Sequence, residues 1–245
     1  MEKSSKYAYS VEPFTEDYCG NLSWGNLGNL LLRCASLHAG EHGFGYSQMI
    51  KVHHAWVLSR LVIEMQQMPH TGDDFVIETW VDRLYRQFTD RHFTIYRSDG
   101  SAYGHATSIW ALIDTNTRQP ADLEQLPNGG FSSALIPERH APISTMGRMR
   151  MKNPELAYTH KASFSDLDIN GHVNSIRYIE LLLDYFSAQY IAEHPVRRVE
   201  MAYCLESYCG DQLDVFHELD AKNPTRHLFE IRKGEQIVVK GSVEL

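Results

Sequence analysis

Asp168, Asn170 and His172, spaced by two in the run Asp166-Leu167-Asp168-Ile169-Asn170-Gly171-His172-Val173-Asn174, bring a carboxylate, an amide and an imidazole into five residues. Such a set can orient a water or a carbonyl, move a proton and stabilise developing charge. An extended backbone would project all three side chains to the same side. Beyond them Ile176, Ile179, Leu183, Phe186 and Tyr190 recur at steps of three and four, the period of a helix burying one face. The pattern predicts a helix from Val173 with His172 in its first turn. A helix start offers unpaired N–H groups and a positive dipole end, which suits an oxyanion. Glu206 is a further candidate, because a carboxylate inside an otherwise apolar strand is costly unless it has partners or a function.

Plainer readings compete for the same residues. Asp166, Asp168, Asn170 and Gly171 match places 1, 3, 5 and 6 of a calcium loop, but place 12, which needs a glutamate, is Arg177. Asn170-Gly171 also suits a hairpin turn, although the period of 3.6 that follows favours a strand-to-helix turn. Asp168 and Asn170 could simply cap the helix.

The elements that must hold these residues come in two similar series. A helical patch (Leu27, Leu30, Leu31, Cys34, Ala35, His38) precedes strand-like runs at 56–65, 75–81, 92–97 and 106–114, with turns at Gly72-Asp73 and Asp99-Gly100. The helix from Val173 precedes runs at 199–205, 213–219, 227–232 and 237–243, with turns at Gly210-Asp211 and Lys233-Gly234. One apolar helix followed by an antiparallel meander, done twice, predicts an α+β tandem hotdog: an N-terminal repeat over 1–137, a linker over 138–157 and a C-terminal repeat over 158–245. The two copies are expected to pair and complete a core. Exposed sheet edges allow a homodimer.

With 245 residues, enough for one large domain or two small ones, 43% hydrophobic and 22% charged, the chain has the composition of an ordinary soluble globular protein. Its formal charge of -8 argues against a general nucleic-acid binder. Residues 1–9 lack the apolar core of a secretory signal and no run reaches membrane-spanning length, so no membrane association and a cytoplasmic location are expected. Cys19, Cys34, Cys204 and Cys209 have neither disulfide-scaffold density nor zinc spacing and are expected as reduced thiols. His38, His42, His53 and His54 form no recognisable metal pattern, so no metal is expected.

The chain resembles the fatty acyl-ACP thioesterases of plant plastids and bacteria over most of its length. The resemblance rests on Asp168-x-Asn170-x-His172-Val173-Asn174, Trp56-Val57-x-x-Arg60, the Gly72-Asp73 turn leading to Thr79-Trp80-Val81, Ser108-x-Trp110, and Tyr203-x-x-Glu206. It implies hydrolysis of an acyl thioester on acyl carrier protein (ACP), without metal or organic cofactor. It also implies catalysis in the second repeat by Asp168, Asn170, His172 and Glu206, and an acyl tunnel formed largely by the first. The plant pattern has a cysteine after the glutamate; here that residue is Ser207, which favours water over a thiolate as nucleophile. Glu206 or Asp168 would polarise the water, His172 would assist or hold substrate, and Asn170 would orient water or carbonyl. Backbone N–H groups at His172 and Val173 would receive the oxyanion.

Trp56, Trp80 and Trp110 fall in strands and are read as walls around an acyl chain or as core. ACP is acidic, so a net-acidic enzyme must present a local cationic surface. Arg148 and Arg150 are the expected docking residues, flanked by Arg139, Lys152 and Lys161, with Arg197 and Arg198 as a second pair. An acyl-CoA thioesterase, a non-catalytic acyl-binding module and a hotdog dehydratase remain alternatives.

Overall fold

The computed structural model describes residues 2–123 and 134–245. The chain divides into two compact units, Met1–Leu61 with Met65–Ser144, and Val62–Glu64 with Thr145–Leu245. In the first, β1 (Ser5–Ser10) is followed by α1 (Trp24–Glu41), a single turn α2 (Tyr46–Met49), β2 (His54–Met65), β3 (Asp74–Tyr85), β4 (Phe88–Arg97) and β5 (Ala102–Asp114). The strand order is β1-β3-β4-β5-β2. Ser23 caps α1, its Oγ accepting the Asn26 N–H, and the helix buries Leu27, Leu31, Cys34, Ala35 and His38 as its apolar period dictates. Each fully buried leucine contributes about 1.5–3 kcal/mol.

The second unit contains β6 (Glu155–Lys161), α3 (Arg177–Leu183), α4 (Ala188–Glu193), β7 (Arg198–Tyr203), β8 (Gln212–Leu219), β9 (Arg226–Lys233) and β10 (Gln236–Glu244), with strand order β7-β10-β9-β8-β6. Ile176, Ile179 and Leu182 are buried along with Val199, Met201, Val215, Phe229, Ile231 and Val239. A Cβ on Gly241 of β10 would lie 2.3 Å from Leu182 Cδ2, so glycine at that position is what lets α3 approach the sheet. A helix laid against an antiparallel sheet, twice over, is the tandem hotdog. No described helix is long and apolar enough to cross a membrane.

Three expectations need correction. The second helix starts at Arg177, not at Val173, because Val173 is held in extended pairing, bridged to Leu167 and donating its N–H to Ser207 O at 2.8 Å. It also stops at Leu183, and a new helix capped by Ser187 starts at Ala188, leaving Tyr190 exposed. Second, β1 and β6 were not anticipated. Their faces alternate between half-buried and exposed, or are largely exposed, so they lack the apolar alternation that betrays a strand. Third, the strand β6 claims residues 155–157 of the expected linker.

Candidate active site

The Asp168 segment is a tight hairpin turn, the alternative that the downstream helical period had argued against. Leu167 and Val173 form an antiparallel bridge, Asp168 N–H donates to His172 O (2.8 Å), and Gly171 N–H donates to Asp168 O (3.0 Å). Gly171 has φ +78°, whereas neither Ile169 nor Asn170 has positive φ, so this is not the type I′ turn that Asn-Gly suggests. The Asp168 carboxylate is spent on the turn itself. Its Oδ1 accepts the N–H groups of Asn170 (2.8 Å) and His172 (3.2 Å), and its Oδ2 accepts Asn170 Nδ2–H (3.4 Å). The backbone N–H groups of His172 and Val173, expected to receive an oxyanion, therefore already have acceptors: the carboxylate of Asp168 and the carbonyl of Ser207.

What the turn delivers is His172, half-buried, to Glu206. Glu206 is not inside a strand as expected but just past the end of β7, where its Oε1 lies 3.6 Å from His172 Nδ1. Both side chains keep about a quarter of their surface exposed, 24% and 29%, so solvent and substrate can reach them. Tyr208 completes the group: its hydroxyl donates to Glu206 Oε2 (3.2 Å) and its ring stands perpendicular to the imidazole, 5.2 Å between centroids. Ser207, between them, is fully buried. Its hydroxyl cannot reach a substrate, which removes it as a nucleophile. Beside it lies Tyr178, whose hydroxyl burial pushes up to about 12.

Asp166 anchors this loop to α3. Its Oδ1 accepts Arg177 Nε–H (2.9 Å), and its Oδ2 accepts the Ser163 N–H (2.7 Å) and lies 2.8 Å from His160 Nε2. Burial pushes its carboxyl up, but the Ser163 N–H, His160 and Arg177 outweigh it and hold the group below the usual range. Arg177, which stood where a calcium loop needs its glutamate, is thus the counter-charge of Asp166.

Sequence reasoning missed a near copy of this turn in the first unit. There Asp17 N–H donates to Asn21 O (2.7 Å), Gly20 N–H donates to Asp17 O (3.0 Å), and Asp17 Oδ1 accepts the N–H groups of Cys19 and Asn21. Gly20 has φ +75°, and Leu22 N–H donates to Pro69 O as Val173 does to Ser207. His172 and Asn21 are bridged to Tyr208 and His70 respectively. By this correspondence the first unit has Cys19, Asn21, Met68 and His70 where the second has Asn170, His172, Glu206 and Tyr208. Asp-x-x-Gly at 17–20 and at 168–171 was the available signal.

The other expected residues fare unequally. Trp80 is buried, with its Nε1–H on Arg139 O (2.6 Å), His92 stacked on it and the Arg139 guanidinium 4.0 Å from its ring centroid; it is a packing post for residues 139–141 rather than a channel wall. Trp56 packs on a cluster of Ala39, Phe44, Met49, Leu112 and Leu123, and Trp110 donates to Ser108 Oγ (2.8 Å). Arg148 and Arg150 are exposed, as are Lys152 and Lys161. Arg139 is not available for docking, because it forms a bidentate pair with Glu78 (2.9 Å for both bonds). Arg198 is likewise buried, bound to Glu64 and Glu200 in a network continued by Arg226 and Asp220.

Asp82, His92 and His140 bring three donor atoms within 4.8 Å of one another. The Ala141 N–H donates to His92 Nδ1 (3.3 Å), which places the ring's own proton on Nε2, facing Asp82, where a metal would need a lone pair. The set reads as a clasp on residues 139–141.

Two family models match the chain, the acyl-ACP thioesterase N-terminal domain over residues 2–125 and the C-terminal domain over residues 151–243. The chain belongs to the acyl-ACP thioesterase family. It is 41% identical to an acyl-ACP thioesterase of Bacteroides thetaiotaomicron, with a TM-score of 0.91 over 99% of this chain and 97% of that one. Among plant acyl-ACP thioesterases it is 29% identical to the oleoyl-acyl carrier protein thioesterase 1 of Arabidopsis thaliana over 77% of this chain. It spans 56% of that relative's length. The 12:0-ACP thioesterase of Umbellularia californica shares the fold, with a TM-score of 0.86 at 18% identity, covering 100% of this chain and 97% of that one.

Proposed function

We propose that the protein hydrolyses the thioester of a fatty acyl group carried on ACP, releasing the free fatty acid and the carrier's thiol. The observation that carries this reading is the solvent-accessible His172–Glu206 pair, present in the second unit and replaced by Asn21 and Met68 in the first. Glu206 takes a proton from water as the water oxygen attacks the thioester carbonyl carbon. Collapse of the tetrahedral intermediate breaks the C–S bond, and the departing thiolate takes up the proton that Glu206 had removed from the water. Since the Asp168 carboxylate is occupied by its turn, Glu206 is the base and Asp168 positions His172 and Asn170. The His172 and Val173 N–H groups have acceptors within the fold, so charge on the carbonyl oxygen falls to side-chain donors, the Asn170 amide or the His172 ring. In this reading the second repeat is catalytic and the first holds the acyl chain, with Trp56 and Trp110 among its apolar side chains. No metal or cofactor enters the chemistry.

Release of free thiol from a panel of acyl-ACPs and matching acyl-CoAs, with His172→Ala beside the wild type, tests the reading. Fast His172-dependent release that favours ACP supports it; equal or faster turnover of acyl-CoA makes the protein an acyl-CoA thioesterase, and binding without release makes it an acyl-binding module. Carrier docking is assigned to exposed Arg148 and Arg150, with Lys152 and Lys161 nearby. Reversing both arginines to glutamate should raise KM for acyl-ACP on the order of several-fold while leaving small thioesters unaffected, because rim charges act mainly on encounter. The expected cytoplasmic location is checked by cell fractionation, and sedimentation decides whether exposed sheet edges pair two chains.

A further inference from the structure

We infer that Tyr208 is a positioning residue, which holds the Glu206 carboxylate with one oxygen turned to His172; the inference rests on the hydrolytic reading of that pair. Three contacts set the backbone of Tyr208 and flank its ring. Its N–H donates to Asp211 Oδ2 (2.9 Å), and the Asp211 N–H donates back to its carbonyl (3.1 Å), closing the turn past β7. Its backbone is bridged to His172, so the two residues move together. Lys233 Nζ sits 3.0 Å from that same Asp211 oxygen and 5.6 Å from the centroid of the tyrosine ring.

From this position the hydroxyl of the half-exposed ring reaches Glu206 Oε2 at 3.2 Å, and Oε1 is the oxygen presented to His172. A hydroxyl donor on one carboxylate oxygen favours the orientation in which the other oxygen faces the imidazole. The perpendicular ring also limits how far the imidazole can swing. The first unit keeps the same turn, with the His70 N–H on Asp73 Oδ2 (2.8 Å), but has His70 in the tyrosine's place and Met68 in the glutamate's. Hydroxyl and carboxylate are found together or not at all in the two copies.

The test compares Tyr208→Phe, which keeps the ring and removes the hydroxyl, with Tyr208→Ala and the wild type. For Tyr208→Phe, kcat for acyl-ACP should fall about 10-fold, equivalent to roughly 1.4 kcal/mol in the barrier. KM should stay within about twofold, as expected for an interaction made chiefly in the transition state. Loss of a donor to the ionised carboxylate should move the acid limb of the pH–rate profile to higher pH, with the thermal midpoint unchanged. Tyr208→Ala should show the same loss or a larger one. Unchanged kcat and acid limb in Tyr208→Phe overturn the inference. Should the wild type release no thiol, the hydrolytic reading fails, and the role of Tyr208 is decided by NMR titration of the Glu206 carboxyl and His172 ring. Titration curves that are identical in wild type and Tyr208→Phe overturn it there too.

Discussion

The turns at Asp17 and Asp168 are built from the same parts, an aspartate that accepts two backbone N–H groups and a glycine with φ near +75°, yet only one presents an imidazole to a carboxylate. Both turns are tied down by an N–H to carbonyl bond of 2.8 Å, to Pro69 in one case and Ser207 in the other. The difference separates scaffold from chemistry. What recurs in both copies is explained by folding; what occurs in one needs another reason. On that criterion Asp168 belongs to the scaffold, and His172, Glu206 and Tyr208 do not.

The comparison can be broken most sharply at the chemical positions. His172→Ala and Glu206→Gln should each lower turnover by on the order of 100-fold or more, the usual size of an acid–base contribution. Asn21→Ala and Met68→Ala, at the matching places, should leave turnover within about twofold by the same reasoning. Comparable losses on both sides would dissolve the distinction. The next effect is smaller and should be symmetric. Asp17→Ala and Asp168→Ala should each cost about 1–3 kcal/mol in chemical denaturation, since each strands two backbone donors. Only Asp168→Ala should also slow turnover, because it releases His172.

The glycines sharpen the comparison further. Alanine at either position costs roughly 1–2 kcal/mol for the left-handed conformation. Gly20→Ala should cost more than Gly171→Ala, because its Cβ would sit 3.0 Å from His70 Nε2 while that of Gly171 meets nothing within 4 Å. Differential scanning calorimetry of the two variants would rank them. The smallest effect concerns acid. His217 lies under Tyr185 and 2.9 Å from His227, and burial, helped by His227, lowers its pKa to about 4; in the first unit burial and Arg91 take His38 to about 3. A histidine held neutral in the fold and free to protonate at its ordinary value near 6.5 when unfolded contributes stability that is complete above that pH. The contribution is lost as pH falls through the folded value. Thermal midpoints should therefore drop from pH 6.5 towards 4, and His217→Phe should flatten part of that slope. An unchanged slope would assign the acid sensitivity to groups other than His217.

Eight of the strands and α1 could be read from the chain because their apolar periods are set by a face buried against a helix or sheet. The strands β1 and β6 could not, since Ser5–Ser10 and Glu155–Lys161 bury too little to impose a pattern. The candidate site was legible as residue types, but its geometry was misjudged for an identifiable reason. The apolar spacing from Ile176 onward is helical, and nothing in it shows that Val173 is held by Ser207, thirty-four residues later. Ion pairing hides in the same way: Arg139 and Arg198 look like surface charge until Glu78 and Glu64 are brought to them. Both depend on contacts between residues far apart in the chain.

The connection between the repeats has its own consequence. Residues 139–141 are fastened within the first unit by Glu78, Trp80, Asp82 and His92, and residues 145–148 within the second, where Arg198 binds the Thr145 carbonyl, Glu200 the Gly147 N–H and Arg226 the Arg148 carbonyl. Between them stand Pro142, Ile143 and Ser144. A reporter insertion, a circular permutation or a longer join is best aimed at this stretch, since a cut a few positions either way would unfasten a buried charge.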